Sequence, residues 1–225
     1  RSWLVTPDAP GWPGPRVAEV DAPLTWLRRE PDPSAEPVTD LLLGARLALL
    51  PGRAAGWVLL GLPDGRAGWL PRADLLRGGP IAAGAARRPP TVERVLATAR
   101  RCMGVPYVWG GRSPKGLDCS GLTQMALELH GVDIPRDAKD QRRHLEKRAT
   151  VLRDPLSAPP GSLVFFGKSP GRATHVGFAT GKGGLLHAQG RVREDSLDES
   201  NPMFRKDLRD LFQVACRVPG VKGRT

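Results

Sequence analysis

Aromatic residues are scarce in this chain: 225 residues hold one tyrosine, five phenylalanines and six tryptophans. No basic stripe is interleaved with aromatic side chains, so a nucleic-acid surface lacks one of its two components and no nucleic-acid partner is expected. Long apolar runs are missing too. Nothing approaches the roughly 18 consecutive apolar residues of a membrane-crossing helix, and no membrane span is expected. The three cysteines, Cys102, Cys119 and Cys216, cannot all pair, and they follow neither a Cys-x-x-Cys nor a metal-ligand spacing. A disulfide framework is therefore set aside, and no metal or cofactor is expected. The first residues, beginning at Arg1, contain no apolar signal core, and the chain reads as a fragment or a processed product.

Basic residues outnumber acidic ones 34 to 23, a formal net charge of +11. That surplus suits an anionic partner such as an acidic wall polymer, but the arginines are scattered, which favours a basic surface with no dedicated ligand. Glycine (27) and proline (23) are abundant, so turns and short strands should outnumber long helices.

Four segments follow from the text. Residues 1–16, rich in Pro and Gly, form an extended arm. Residues 17–78 alternate short apolar runs with turns. Trp57-Val58-Leu59-Leu60 and Ala67-Gly68-Trp69-Leu70 flank the turn Pro63-Asp64-Gly65, a strong hairpin signal. This pattern resembles a bacterial SH3-like small barrel. Residues 79–90, of small residues, Gly and Pro, form a linker. Residues 91–218 form the larger domain. Thr91 caps a helix whose inner face is Val92, Val95, Leu96, Ala99 and Met103, with Cys102 beside it and Gly104 as its stop. A second helix runs from Cys119 to His130, with Leu122, Met125, Ala126 and Leu129 inward and Gly131 as C-cap. Strands follow at 162–166, 175–179, 185–188 and 213–218, the middle two as a hairpin over Gly181–Gly184. Helices followed by strands predict an α+β domain with helices on one antiparallel sheet.

The chemistry centres on Cys119. It follows a Gly-rich, Pro-containing loop and opens a helix, where the positive end of the backbone dipole favours thiolate. A cysteine hydrolase also needs a base and a group that orients it. His130 beside Gly131 reads as a C-terminal cap contact, and His144, in an Arg-rich polar segment, reads as solvated. His175 and His187 lie on consecutive strands, and if those strands pair, both imidazoles can converge on one place.

The motifs Pro106-Tyr107-Val108-Trp109-Gly110-Gly111, Asp118-Cys119-Ser120-Gly121-Leu122, Ile134-Pro135-Arg136 with Gln141, Pro160–Phe166, His175–Thr180 and Leu185–Gly190 together resemble the NlpC-type cysteine peptidases. The resemblance implies a papain-like α+β fold, circularly rearranged so that the nucleophile helix precedes the sheet. It implies Cys119 as nucleophile, His175 as base and His187 as the orienting third member. It also gives Tyr107 a hydroxyl near the thiol, makes Asp118 and Ser120 substrate contacts, and leaves Arg136 and Gln141 as scaffold.

With the SH3-like module in front, the chain resembles γ-D-glutamyl-L-diamino acid endopeptidases, which implies a murein peptide with a free N-terminal L-alanine as substrate. Glu36, or Glu30, is the candidate partner for the substrate amine, while Arg66 stands where relatives often carry an aromatic residue. An amidase or acyltransferase on the same triad, and a non-catalytic wall-binding protein, are the alternatives. A monomer is expected. A module that walls off the cleft suits small recycled peptides in a bacterial cytoplasm, with the cell envelope or secretion left open.

Overall fold

The computed structural model describes residues 16–62, 66–76, 81–82 and 91–223, so the expected arm, the Asp64-Gly65 turn and most of the linker lie outside the described residues. The chain divides into two compact units, Arg1–Ala86 and Arg87–Thr225.

The described residues of the first unit form seven strands and one short 3-10 turn (Arg72–Asp74): β1 (Arg16–Glu19), β2 (Leu24–Arg28), β3 (Pro37–Leu42), β4 (Arg46–Leu49), β5 (Trp57–Gly61), β6 (Ala67–Pro71) and β7 (Ile81–Ala82). They form one antiparallel sheet in the order β3-β2-β6-β5-β4-β1-β7. Strands β5 and β6 pair from Trp57↔Pro71 to Gly61↔Ala67, so the two tryptophan-bearing runs do face each other. Alternation sends Val58, Leu60 and Leu70 inward with Leu27 and Leu47, and these make the core of the SH3-like unit.

The second unit begins with α1 (Val92–Arg100), capped by Thr91, whose Oγ1 accepts the Arg94 N–H at 3.4 Å. Val95, Leu96 and Ala99 are buried as expected, and Cys102 is fully buried, but the helix ends before Met103, which is about half exposed at 48%. A short ribbon of β8 (Arg112–Ser113) and β9 (Gly116–Leu117) leads into α2 (Cys119–Glu128). Every residue of α2 from Cys119 to Leu127 is buried, so this helix has no solvent face and the expected one-sided stripe is only part of its contact surface. It stops at Glu128, two residues short of the expected end, and Gly131 turns the chain with φ of 78°.

Helix α3 (Ala138–Glu146) is not evident from apolar periodicity. The buried positions 138, 141, 142 and 145 have helical spacing, but Gln141 and Arg142 fill two of them. The sheet comprises β10 (Val151–Leu152), β11 (Leu163–Phe166), β12 (His175–Gly181), β13 (Gly184–Gln189), β14 (Arg191–Ser196) and, after the short helix α4 (Lys206–Leu211), β15 (Phe212–Cys216). Its order is β10-β15-β11-β12-β13-β14, antiparallel throughout, and α2 packs on β12 and β13. Strand β14 is also absent from the apolar pattern. It is an end strand with Arg191, Arg193, Glu194 and Asp195 in six residues, and such strands are polar as a rule.

Two glycines allow the close approaches that the site requires. A Cβ on Gly121 would lie 2.1 Å from the Gly111 carbonyl oxygen, so the loop before the helix sits directly on its first turn. A Cβ on Gly177 would lie 2.8 Å from the Cβ of His187, which faces it across the β12–β13 pair. Gly121→Ala gains about 1 kcal/mol of helix propensity, but the methyl meets backbone that cannot rotate away. Overpacking of this kind costs about 1–3 kcal/mol. The expected outcome is a net loss of stability, read as a lower urea midpoint at unchanged slope.

Candidate active site

Asp118 sets the position of Cys119. As N-cap of α2 it has extended backbone, and its Oδ1 accepts the Gly121 N–H at 2.6 Å. Its Oδ2 accepts the Gly110 N–H at 2.9 Å, which ties the preceding loop to the same carboxylate. Arg136 then pairs with both oxygens, Nη1 to Oδ1 at 2.9 Å and Nη2 to Oδ2 at 2.5 Å, and Nη1 also donates to Ser120 Oγ at 2.9 Å. Burial pushes the Asp118 carboxyl up, but the Arg136 bond, the two backbone N–H groups and the arginine charge outweigh it and hold it below the usual carboxylate range. Gln141, fully buried, braces the same turn by donating to the Ser120 and Pro135 carbonyls and accepting from Thr123.

Cys119 is buried, at 6% exposure. Burial raises its thiol above the ordinary value. The Val176 N–H, and those of Ser120 and Cys119 itself, pull it down, while the Asp118 charge pushes it up further. The net direction is upward, opposite to the effect expected from the helix terminus alone. Tyr107 is half-buried in the same place, and its hydroxyl is raised by burial first and then by the charges of Cys119 and Asp118.

The histidines converge. In the β11–β12–β13 register Phe166 faces His175 and Gly177 faces His187, so His187 is the diagonal neighbour of His175 on one sheet face. With no side chain at Gly177 between them, His175 Nε2 and His187 Nδ1 lie 2.8 Å apart, the rings edge to face with centroids 5.0 Å apart. His175 also lies against Phe166 at 5.7 Å between centroids. Burial, followed by the charges of His187 and Arg205, pushes His175 down to about 3.

The sequence did not point to Asp195. It faces Leu185 on β13, one diagonal step from His187, and its Oδ2 lies 2.9 Å from His187 Nε2. Alternate positions on paired strands, 187 with 193 and 195, would have revealed it once β14 was recognised.

Tyr107, Trp109, Asp118, Cys119, Ser120 and Arg172 are among the residues lining a cleft of 520 Å³. Trp109 is 86% exposed at its lip. Glu36 belongs to the other unit, where it pairs with Arg29 at 2.8 Å, and Glu30 is exposed there. His130 is not simply a cap contact: its Nε2 lies 2.8 Å from Thr98 Oγ1 on α1. His144 is partly covered and lies 3.3 Å from Arg148. Among the described residues no group of three His, Cys, Asp or Glu is arranged to hold a metal, and no helix is long and apolar enough to cross a membrane.

Residues 104–209 match the NlpC/P60 family, and residues 27–75 match the bacterial dipeptidyl-peptidase SH3 domain. The chain carries an NlpC/P60 domain. The Cys119 helix and both histidine strands fall inside that matched span, and the family is one of cysteine peptidases. Two curated proteins similar to the chain are named dipeptidyl-peptidases. Dipeptidyl-peptidase 6 of Lysinibacillus sphaericus is 41% identical over 119 residues, 52% of this chain and 40% of that protein. The γ-D-glutamyl-L-lysine dipeptidyl-peptidase of Bacillus cereus is 32% identical over 146 residues, 64% of this chain and 41% of that protein. The chain thus spans about two fifths of these curated relatives. The crystal structure of an NlpC/P60 family protein from Bacillus cereus superposes with a TM-score of 0.69 at 25% identity, covering 91% of this chain and 63% of that one.

The low value of His175 has a thermodynamic consequence. Below about pH 6.5 the unfolded chain protonates this histidine while the folded chain does not until about pH 3. Stability is therefore full above about pH 6.5 and falls as the pH drops, by up to about 1.4 kcal/mol per pH unit from this group. Urea midpoints measured from about pH 7 to about pH 4.5 should fall more steeply for the parent than for His175→Gln.

Proposed function

We propose that the chain is a cysteine endopeptidase that hydrolyses the γ-D-glutamyl–diamino acid bond of murein peptides, acting on those with a free N-terminal L-alanine. The observation that carries this reading is the arrangement of Cys119 at the capped start of α2, its thiol met by the N–H of Val176, the residue after His175, whose imidazole pairs with the buried His187. The name of the Bacillus cereus relative, a γ-D-glutamyl-L-lysine dipeptidyl-peptidase, supports the substrate class.

Cys119 Sγ attacks the γ-carbonyl carbon of D-glutamate as its proton passes to His175. The negative charge that develops on the carbonyl oxygen is held by backbone N–H groups at the start of α2, that of Cys119 among them, a contribution of about 2.7–4 kcal/mol per donor. The C–N bond breaks as His175 returns the proton to the departing amine. Water then attacks the thioester, again losing its proton to His175, and the thiol is released with a free γ-carboxylate. His187 orients His175 throughout. Tyr107, Asp118 and Ser120 line the pocket for the L-alanyl and D-glutamyl parts. Asp118 serves first as cap and as partner of Arg136, and it contacts substrate with whatever lone-pair capacity those bonds leave.

Cys119→Ala is expected to lower turnover of L-Ala-γ-D-Glu-diaminopimelate by about 10³-fold or more while its circular dichroism and melting temperature stay close to those of the parent. Unchanged turnover would sink the assignment. An N-acetylated tripeptide should be cut at least about tenfold more slowly than the free amine, and equal rates would remove the free-amine requirement. Mass spectrometry of the products separates hydrolysis from acyl transfer to an added amine, the outcome expected of an acyltransferase.

A further inference from the structure

The histidine pair does not end at His187. Its Nε2 lies 2.9 Å from Asp195 Oδ2, and both side chains are closed off from solvent, at 0% and 1% exposure. The same carboxylate is gripped from two other sides. Arg193 donates to Oδ1 through Nε at 3.1 Å and Nη2 at 2.7 Å, and Arg205 donates to Oδ2 through Nη1 at 2.9 Å. Arg205 is itself held by Asp207 at 2.7 Å and 2.8 Å and by Gln189 at 3.0 Å. Two strands, β13 and β14, and the start of α4 thus converge on one buried anion.

From this geometry we infer that Asp195 is a positioning residue that sets the tautomers of both histidines, so that the proton-accepting nitrogen of His175 is Nδ1. The inference rests on the assignment of Cys119 and His175 as nucleophile and base. The argument is one of donors and acceptors. A carboxylate that receives three arginine N–H groups can only accept, so His187 Nε2 carries a hydrogen and donates it. A neutral imidazole has one N–H, which leaves the lone pair of His187 on Nδ1. That lone pair accepts across the 2.8 Å contact, so His175 Nε2 carries the hydrogen and His175 Nδ1 is left with the lone pair. The two arginines keep Asp195 a weak base. It holds the proton of His187 in place and does not remove it.

Without the acceptor, the buried His187 Nε2–H has no partner, and an unmatched buried donor is costly. The cheaper arrangement moves the hydrogen of His187 to Nδ1. It then donates to His175 Nε2, and the hydrogen of His175 shifts to Nδ1, where the base needs a lone pair. The variant that makes this change is Asp195→Leu, close in shape and without an acceptor. Arg193 and Arg205 are 34% and 25% exposed, so their charges can turn to water when the carboxylate goes.

The test uses the whole chain labelled with ¹⁵N-histidine at neutral pH. In the parent, long-range imidazole correlations are expected to show both His187 and His175 as Nε2–H tautomers. A parent spectrum with His187 as Nδ1–H would overturn the inference even if no variant folds. In Asp195→Leu both rings are expected to switch to Nδ1–H, with kcat on the tripeptide down by about 10²–10⁴-fold, the usual worth of a general base, and KM within about threefold. Unswitched tautomers, or switched tautomers with unchanged kcat, would also overturn it. Full activity in Cys119→Ala is a separate failure: it removes the peptidase assignment and leaves the tautomer measurement standing.

Discussion

The Asp118 carboxylate joins pieces of chain that lie far apart in sequence: the first turn of α2, the Gly110 turn before it, and Arg136 after it. Its job is first of all local. A helix start leaves N–H groups without partners, and an Asp in the capping position satisfies one of them. Because the other oxygen takes the Gly110 N–H, the same group fixes the loop that carries Tyr107 and Trp109 relative to the helix that carries Cys119. Arg136 lets this charge remain charged while it is nearly buried, with side-chain exposures of 9% for Asp118 and 29% for Arg136. Remove the arginine and the cap becomes an uncompensated anion, which is the expensive way to break a buried pair.

Electrostatics at Cys119 are a contest in which the larger effect is the less visible one. The dipole at a helix N-terminus is worth about 0.3–1 kcal/mol at an exposed site and up to about 2 kcal/mol when partly buried. Full burial of an ionisable group shifts its pKa by up to about 3–5 units, or roughly 4–7 kcal/mol. Cys119 is deeply buried and has Asp118 beside it, so the thiol is raised in spite of three nearby N–H groups. Desolvation moves His175 down. The two shifts act in the same sense: each group holds its neutral form in the resting site. In the proposed mechanism, proton transfer from sulfur to nitrogen therefore accompanies attack.

Much of this was legible in the chain. The SH3-like unit, the α+β class, the helix opening at Cys119 and the β12–β13 hairpin all carry strong local signals: a turn-forming Gly cluster, alternating apolar runs, a Thr or Asp at a helix start. What stayed hidden were elements whose inner positions are polar. Helix α3 buries Gln141 and Arg142, so its apolar period is broken although its spacing is intact. Strand β14 reads as a charged loop because Arg193 and Asp195 pair along it and Arg205, at the start of α4, joins them, and hydrophobicity cannot register a buried salt bridge. Asp195 went unseen for the same reason: its partner His187 is fixed by strand register, which the sequence implies only once both strands are known. The thiol shift was hidden differently, since burial is a property of the packed domain and no residue beside Cys119 announces it.

The outer side of β14 is where the two halves of the site meet. Gly104 donates to the Val192 carbonyl at 2.9 Å, the Val192 N–H donates to Val105 at 2.8 Å, and the Tyr107 N–H donates to Gly190 at 2.9 Å. The segment that leads to Cys119 is therefore stitched, amide by amide, to the strand that holds Asp195. Helix and sheet cannot part to admit a ligand without unpicking that seam. On that side the slot beside Cys119 is a jig more than a jaw, with Trp109 standing exposed at its lip.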